Sequence, residues 1–351
     1  MIKTCAKKFS TPLLAWYAKH QRDLPWRRTT DPYKIWISEI MLQQTTVNVV
    51  IPYYKRWASA FPTVHSVSKA PLQKVLRLWQ GLGYYARAKN IHKCAKMIRA
   101  KHGGKIPSSF EGLKGLPGFG PYTTGAVLSI AFGKRVTIID ANVRRVVMRY
   151  LGKKGFADAA HDPAIKKFLE KVFPPRDASS FNQALMELGA LVCRSRRPLC
   201  LACPLRTSCR AYQEGLQDII PTPKKISLRN VYAVIALIEK DGKYFIQKRP
   251  SQGLFADLWE FPGGKIEKGE GEAEALRREI KEELNVDVVS LRHAMRTHHF
   301  YTQFRANLSV YECEVVPDPK VGIRHRWVNK ADLCKFPMPS GSAKIVEGFF
   351  K

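Results

Sequence analysis

From Phe9 to Tyr212 apolar residues return at the three-to-four spacing of helices. The pattern is plain in PLLAWYAKH from Pro12, KIWISEIMLQQ from Lys34, VLRLWQGLGYYARA from Val75 and NVRRVVMRYLG from Asn142. Proline and glycine punctuate it in RDLPWRR, AFPTV, LPGFGPY and VFPPRD, so these helices should be joined by short loops. Residues 1–214 are therefore expected to form an all-α domain. The stretch 215–230, GLQDIIPTPKKISLRN, loses the period and reads as a linker. Beyond it the texture changes. VYAVIALIEKDGKYFIQKR holds two β-branched runs around Asp241-Gly242, a strong hairpin signal. ANLSVYECEVV and RHRWVN read as further strands, and Gly271–Leu284 as a helix. Residues 231–351 should thus be a smaller α+β domain, and a chain of 351 residues fits two cores better than one.

Charge narrows the class of partner. Lys and Arg number 59 against 29 Asp and Glu, a formal net charge of +30. Such an excess favours a polyanion, either nucleic acid or an anionic membrane surface. No apolar run approaches the roughly 20 residues that span a bilayer, which weakens the membrane reading. The start MIKTCAKKFS is not followed by an apolar core, so the chain is expected in the cytosol, on the nucleoid in a bacterium, with its thiols reduced.

Four of the eight cysteines, Cys193, Cys200, Cys203 and Cys209, follow the spacing C-x6-C-x2-C-x5-C within CRSRRPLCLACPLRTSC. So dense a group in a reducing compartment reads as one metal site. Zinc is the rival, but this segment has a single short knuckle and no histidine. A four-thiolate iron-sulfur cluster fits better. Arg194, Arg196 and Arg197 lie between the first two ligands. In isolation they read as a solvated charge run, and beside a metal-fixed loop as a phosphate contact.

Glu39 is the only acid on a largely apolar helix, where a carboxyl should be desolvated and its pKa raised. That suits a general acid, although a structural buried glutamate is the commoner case. Asp140 ends the extended VTII run and opens ANVRRVV, an N-cap position stabilising the helix by roughly 1 kcal/mol. Between them, LKGLPGFGPYTTG carries a glycine-rich hairpin ahead of a new helix, where backbone N–H groups near Gly118 and Gly120 can grip a phosphate.

The hairpin, VTIIDANVRRVV and the cysteine pattern together resemble the helix-hairpin-helix DNA glycosylases with a 4Fe-4S cluster. WISEIMLQQT, GLGYYARAKN and FNQALMELGALVC narrow the resemblance to the MutY-type adenine DNA glycosylases. It implies a monofunctional enzyme that flips and excises adenine mispaired with 8-oxoguanine or guanine in double-stranded DNA, acting as a monomer. Glu39 matches the acid that protonates the leaving base and Asp140 the carboxylate that stabilises the sugar cation. Tyr122 stands where the related endonuclease III type has a Schiff-base lysine, so strand cleavage is not expected. Tyr122 and Asn142 match pocket residues that help stabilise the sugar. Gln43, Gln44, Leu82 and Tyr84 match residues that wedge into the duplex, with core packing an equal reading for Leu82. Trp26, Arg27 and Glu187 match the adenine pocket. A thymine mismatch glycosylase and a non-catalytic lesion-binding protein remain the alternatives.

In the second domain, FPGGKIEKGEGEAEALRREIKEELNV fits the Nudix pattern from Gly264 through Glu270, Arg278, Glu279, Ile280, Glu282 and Glu283 to Val286. One position departs: Asn285 replaces a helix-ending glycine, and Asn is the next residue most tolerant of the left-handed conformation. Glu279, Glu282 and Glu283 are candidate Mg²⁺ ligands. Three readings stay open for them: a solvated helix face, a pyrophosphohydrolase of oxidised nucleoside triphosphates, or an idle box in a domain that reads 8-oxoguanine. The resemblance aligns the lesion-reading loop, typically Phe-Ser-His, with Phe300-Tyr301-Thr302 or, shifted, with the neighbourhood of His298-His299, and it places Ser340 where MutT-type hydrolases have a base-reading asparagine.

Overall fold

The computed structural model describes residues 2–223, 227–301 and 303–350, with side chains from residue 8 onward. It divides into two compact units, Met1–Lys69 with Asn90–Lys225, and Ala70–Lys89 with Ile226–Lys351. The division at Lys225 falls inside the expected linker. Two expectations differ from what is found. Ile220, inside the supposed linker, is buried and its carbonyl accepts a 2.6 Å bond from Arg149 Nε. Residues 70–89, expected in the N-terminal domain, pack with the C-terminal unit.

The helices, in chain order, are α1 (Ile2–His20), α2 (Pro32–Leu42), α3 (Val47–Ala60), α4 (Val64–Lys69), α5 (Leu72–Trp79), α6 (Ala86–His102), α7 (Phe110–Leu113), α8 (Pro121–Ile130), α9 (Ala141–Leu151), α10 (Asp162–Val172), α11 (Ala178–Leu191) and α12 (Arg210–Gln213). The apolar stripes of α1, α9, α10 and α11 close one core around Phe9, Leu13, Val147, Leu169, Phe181, Leu185 and Leu188. Each such side chain contributes roughly 1.5–3 kcal/mol when buried. Phe9 meets Tyr150 and Phe168 edge to face, at 4.7 and 5.1 Å between ring centres. That core fixes the facing surfaces of α9 and α11. Gly189 of α11 is the contact point, since a Cβ there would lie 2.6 Å from Asn142 Cβ. The periodic run VLRLWQGLGYYARA is not one helix. It breaks after Trp79, where Gly81 and Gly83 take positive φ, and resumes at Ala86.

In the second unit a mixed sheet is built from β1 (Arg229–Lys240), β2 (Lys243–Lys248), β3 (Trp259–Glu260), β4 (Gly263–Lys265), β5 (Asp287–Phe300), β6 (Phe304–Val316) and β7 (His325–Asn329). Its main path runs β3-β2-β1-β6-β5, with β4 beside β1 and β7 beside β2. Strands β1 and β6 are parallel from Arg229 opposite Phe304 to Ile238 opposite Cys313, and the other pairs are antiparallel. The β1–β2 hairpin turns on Asp241 and Gly242, both at positive φ, as expected. Alternation along β1 sends Val234, Ala236 and Ile238 toward Leu276 and Ile280 of helix α13 (Glu272–Leu284), and Leu237 toward Ile345 of helix α14 (Ser340–Phe349). The sheet is thus covered by one helix on each face. Strand β5 and helix α14 carry weak apolar periods and are not read from the sequence.

Candidate active site

Helix α2 is buried along nearly its whole length, from Tyr33 to Met41. Asp31 caps it, accepting from Tyr33 N at 2.9 Å. Trp36 stacks on Phe119 of the hairpin at 5.3 Å, which holds α2 against the start of α8. Glu39 is 5% exposed, and Tyr122 Oη, from the first turn of α8, donates to its Oε2 at 2.7 Å. Burial pushes the Glu39 carboxyl up to about 7. The Tyr122 hydrogen bond and Arg27 oppose the rise, and Asp140 adds to it. Burial likewise carries Tyr122 well above the usual tyrosine range, so it donates rather than ionises.

Asp140 is the N-cap of α9. Its Oδ1 accepts from Val143 N at 2.6 Å, and its Oδ2 from Asn142 Nδ2 at 3.0 Å. Burial raises its pKa, while these donors and Arg145 pull it back. Two carboxyls in one cavity are therefore held differently, one by a single phenol and the other by a cap and an amide. Asn142 is itself oriented: its Oδ1 accepts from Arg145 Nη2 at 2.8 Å, and Arg145 also donates to the carbonyls of Gly189 and Cys193. One turn on, buried Arg149 donates to the carbonyls of Arg194 and Ser195 and lies 3.3 Å from Cys193 Sγ. Arg145 and Arg149 escape the sequence reading, though arginines at (i, i+4) flanking the apolar Val146–Met148 mark a helix side that needs buried acceptors.

Glu39, Tyr122, Asp140, Asn142, Trp26, Arg27 and Glu187 line one cavity of about 460 Å³, within the range of small-ligand sites. Arg22, Gln183 and Met186 also line it and were not foreseen. Glu187 is 1% exposed and takes bidentate bonds from both Arg22 (2.9 and 2.8 Å) and Arg27 (3.1 and 2.9 Å). Burial alone would raise its pKa, but these hydrogen bonds outweigh it and bring the carboxyl down to about 2. The wall contains two guanidiniums and, among the described residues, no lysine.

The expected DNA-contacting residues divide. Gln43 Nε2 lies 3.2 Å from Thr123 Oγ1, whereas Gln44 is exposed with φ +61° just past the end of α2. Gly118 turns the hairpin at φ +85°, and Gly120 caps α8 in an extended conformation. Arg194, Arg196 and Arg197 are exposed, on the loop whose carbonyls Arg149 holds. In the second unit Tyr84 is 46% exposed, whereas Leu82 is buried at 5%.

Cys193, Cys200, Cys203 and Cys209 are free thiols lining one cavity with Val146, Leu188, Val192 and Leu205. Among the described residues no three His, Cys, Asp or Glu side chains are grouped closely enough to hold a metal ion. Four thiols around a shared, apolar-walled space fit a polynuclear group better than a single zinc, which draws its ligands to about 2.3 Å.

On α13, Asn285 takes φ +55°, ψ +39°, the left-handed cap anticipated for it. Glu279 packs on Gly264, where any Cβ would fall 2.1 Å from its carboxyl carbon. The carboxylates have partners already: Arg278 reaches Glu270 (2.8 Å), Glu279 (3.0 Å) and Glu282 (3.4 Å), and Glu283 accepts from Gln247 (2.7 Å) and Gly263 N (3.0 Å). As arranged, Glu279, Glu282 and Glu283 do not converge on a cation. A separate cavity of about 650 Å³ is walled by Phe255, Tyr301, Phe304, Gly341 and Ser342. Ser340 is not among its lining residues, and Thr302 lies outside the described residues.

Residues 37–175 match the HhH-GPD superfamily of base excision DNA repair proteins, and residues 233–348 match the NUDIX domain. Fold and site together therefore define a helix-hairpin-helix base-excision glycosylase followed by a Nudix domain. The chain is 38% identical over 258 residues to the adenine DNA glycosylase of Buchnera aphidicola subsp. Schizaphis graminum, covering 72% of this chain and 74% of that one. It is 31% identical to the adenine DNA glycosylase of Mus musculus, covering 96% and 77%. The chain belongs to the adenine DNA glycosylase family. Among solved structures it resembles a thermostable thymine-DNA glycosylase, with a TM-score of 0.55 at 30% identity over 60% of this chain and 98% of that one. No helix among the described residues is long and apolar enough to cross a membrane.

Proposed function

We propose that the protein excises adenine opposite 8-oxoguanine or guanine without cutting the strand. The observation that carries this is the pairing of a desolvated Glu39, up to about 7, with a capped Asp140 in one cavity roomy enough for a base. Tyr122 donates to Oε2 of Glu39, which leaves the acid's proton on Oε1 for the departing base. Asp140, held by Val143 N and Asn142, faces the developing sugar cation as a carboxylate. Glu187, fixed by Arg22 and Arg27, and Trp26 shape the pocket for the flipped adenine. A wall without lysine offers no amine for a Schiff base, which supports a monofunctional reaction. Gly118, Gly120, Arg194, Arg196 and Arg197 hold phosphates, while Gln44 and Tyr84 enter the duplex.

Cys193, Cys200, Cys203 and Cys209 would hold a 4Fe-4S cluster, whose contribution is to fix the basic loop 194–197. Arg149 grips the same loop from α9, and Arg145 holds the Cys193 carbonyl just before it. For the C-terminal domain we favour lesion reading over nucleotide hydrolysis. Glu279 and Glu282 are engaged by Arg278, and the aromatic-walled cavity is open to a planar base.

The test is product analysis on A:8-oxoG, A:G and T:G duplexes. Adenine should be released from the first two, with strand scission only after alkali. Release of thymine alone, or scission without alkali, contradicts the proposal.

A further inference from the structure

Between α5 and α6 the chain makes a loop with three residues at positive φ: Gly81 at +100°, Gly83 at +70° and Tyr84 at +48°. A tyrosine in the left-handed region stores strain, and such residues persist only where the surroundings hold them. Here the bracing is explicit. Trp79 Nε1 donates to Gly83 O at 3.0 Å, and buried Arg87 donates to the carbonyls of Leu82 (2.9 Å) and Gly83 (3.1 Å) with its guanidinium 5.5 Å from the Tyr84 ring centre. The loop is stiff, and it presents one exposed aromatic.

The loop's flanks are held by the Nudix-fold unit at two places. The first is the segment 250–258: Lys89 Nζ pairs with Asp257 Oδ2 at 2.6 Å and donates to Ser251 O, while Gln73 reaches Asp257 O and accepts from Trp259 Nε1, each at 3.0 Å. The second is Met338, whose N–H donates to Gln80 Oε1 at 3.1 Å and whose carbonyl accepts from Tyr85 Oη at 2.9 Å. Both segments also wall the aromatic cavity, the first through Leu254 and Phe255 and the second through Pro339, Gly341 and Ser342. Phe255 and Asp257 are themselves left-handed, at φ +58° and +66°, so the wall residue and the clamp residue share one constrained turn.

We propose that these two segments couple the Nudix-fold unit's sheet to the Tyr84 loop, so that the clamp they form sets how Tyr84 meets the duplex. Gln73, Gln80, Tyr85 and Lys89 are its positioning residues. The proposal rests on the reading that Tyr84 enters DNA. Contacts alone do not establish coupling, so the test is a double-mutant cycle.

With the full chain, affinity for an A:8-oxoG duplex and the fluorescence of a 2-aminopurine beside the mispair are measured for four proteins. These are wild type, Tyr84→Ala, the clamp variant Lys89→Met/Tyr85→Phe, and the combination. Tyr85→Phe removes only a hydroxyl, and Lys89→Arg serves as the rescuing control. Expected are roughly five-fold or greater losses of affinity for Tyr84→Ala and for the clamp variant, a reduced 2-aminopurine signal in both, and little further loss on combining them. If Tyr84→Ala binds and unstacks like wild type, the wedge reading itself fails. If Tyr84→Ala is impaired but the clamp variant is not, or the two losses multiply, the coupling is overturned and the wedge reading stands.

Discussion

Glu39 shows how far a single residue can be read from sequence. A lone carboxyl among Ile35, Trp36, Ile40 and Met41 has to be desolvated, and its pKa rises to about 7. Asp140 was legible as a cap for the same local reason. Glu187 was placed in the pocket by resemblance, but its partners were not foreseen, because Arg22 and Arg27 lie 165 and 160 positions away in the chain. The Glu39 shift has a consequence for stability. Its folded pKa lies above its unfolded value of 4.5, so the folded state binds the proton more tightly between about 4.5 and 7. Stability from this group is therefore greatest in acid and falls as pH rises through that window, by on the order of 3 kcal/mol. Glu39→Gln keeps an acceptor for Tyr122 and removes the buried charge. Thermal melts at pH 8 should show the variant more stable than wild type, with the gap closing near pH 4.5. A variant less stable at pH 8 would mean that Glu39 makes a structural contact beyond its hydrogen bond to Tyr122.

Elements were legible where their period was strong and their ends were marked. The hairpin at Gly118, the Asp241-Gly242 turn and the left-handed Asn285 cap each follow from one or two residue types. Strand β5 was not, because DVVSLRHAMRTHHF alternates too weakly to announce a buried face. Helix α13 tests the proposed division of labour. Its box is nearly complete in sequence, yet Arg278 bridges Glu270, Glu279 and Glu282. Incubation with Mg²⁺ and 8-oxo-dGTP should therefore yield no monophosphate and pyrophosphate above the level of a Glu282→Gln control. Hydrolysis by wild type that this variant loses would make the domain an enzyme in its own right.

At the scale of the whole molecule, the helical and mixed α/β halves were readable from the change of period near residue 215. The exchange of residues 70–89 was not. No local signal says that residues 70–89 leave their sequence neighbours, because the partners of Gln73 and Gln80, namely Asp257, Trp259 and Met338, lie some 180 residues or more downstream. The net charge of +30 marks the polyanionic partner but not the base it exposes. What decides the chemistry is whether the desolvated acid in the glycosylase cavity drives base loss. The direct measurement is the single-turnover rate of adenine release from an A:8-oxoG duplex as a function of pH, for wild type and Glu39→Gln. The account predicts a wild-type rate falling about tenfold per pH unit above about 7, and a variant at least ~10²-fold slower with that limb absent. A variant that releases adenine at the wild-type rate, with the same pH profile, would contradict it.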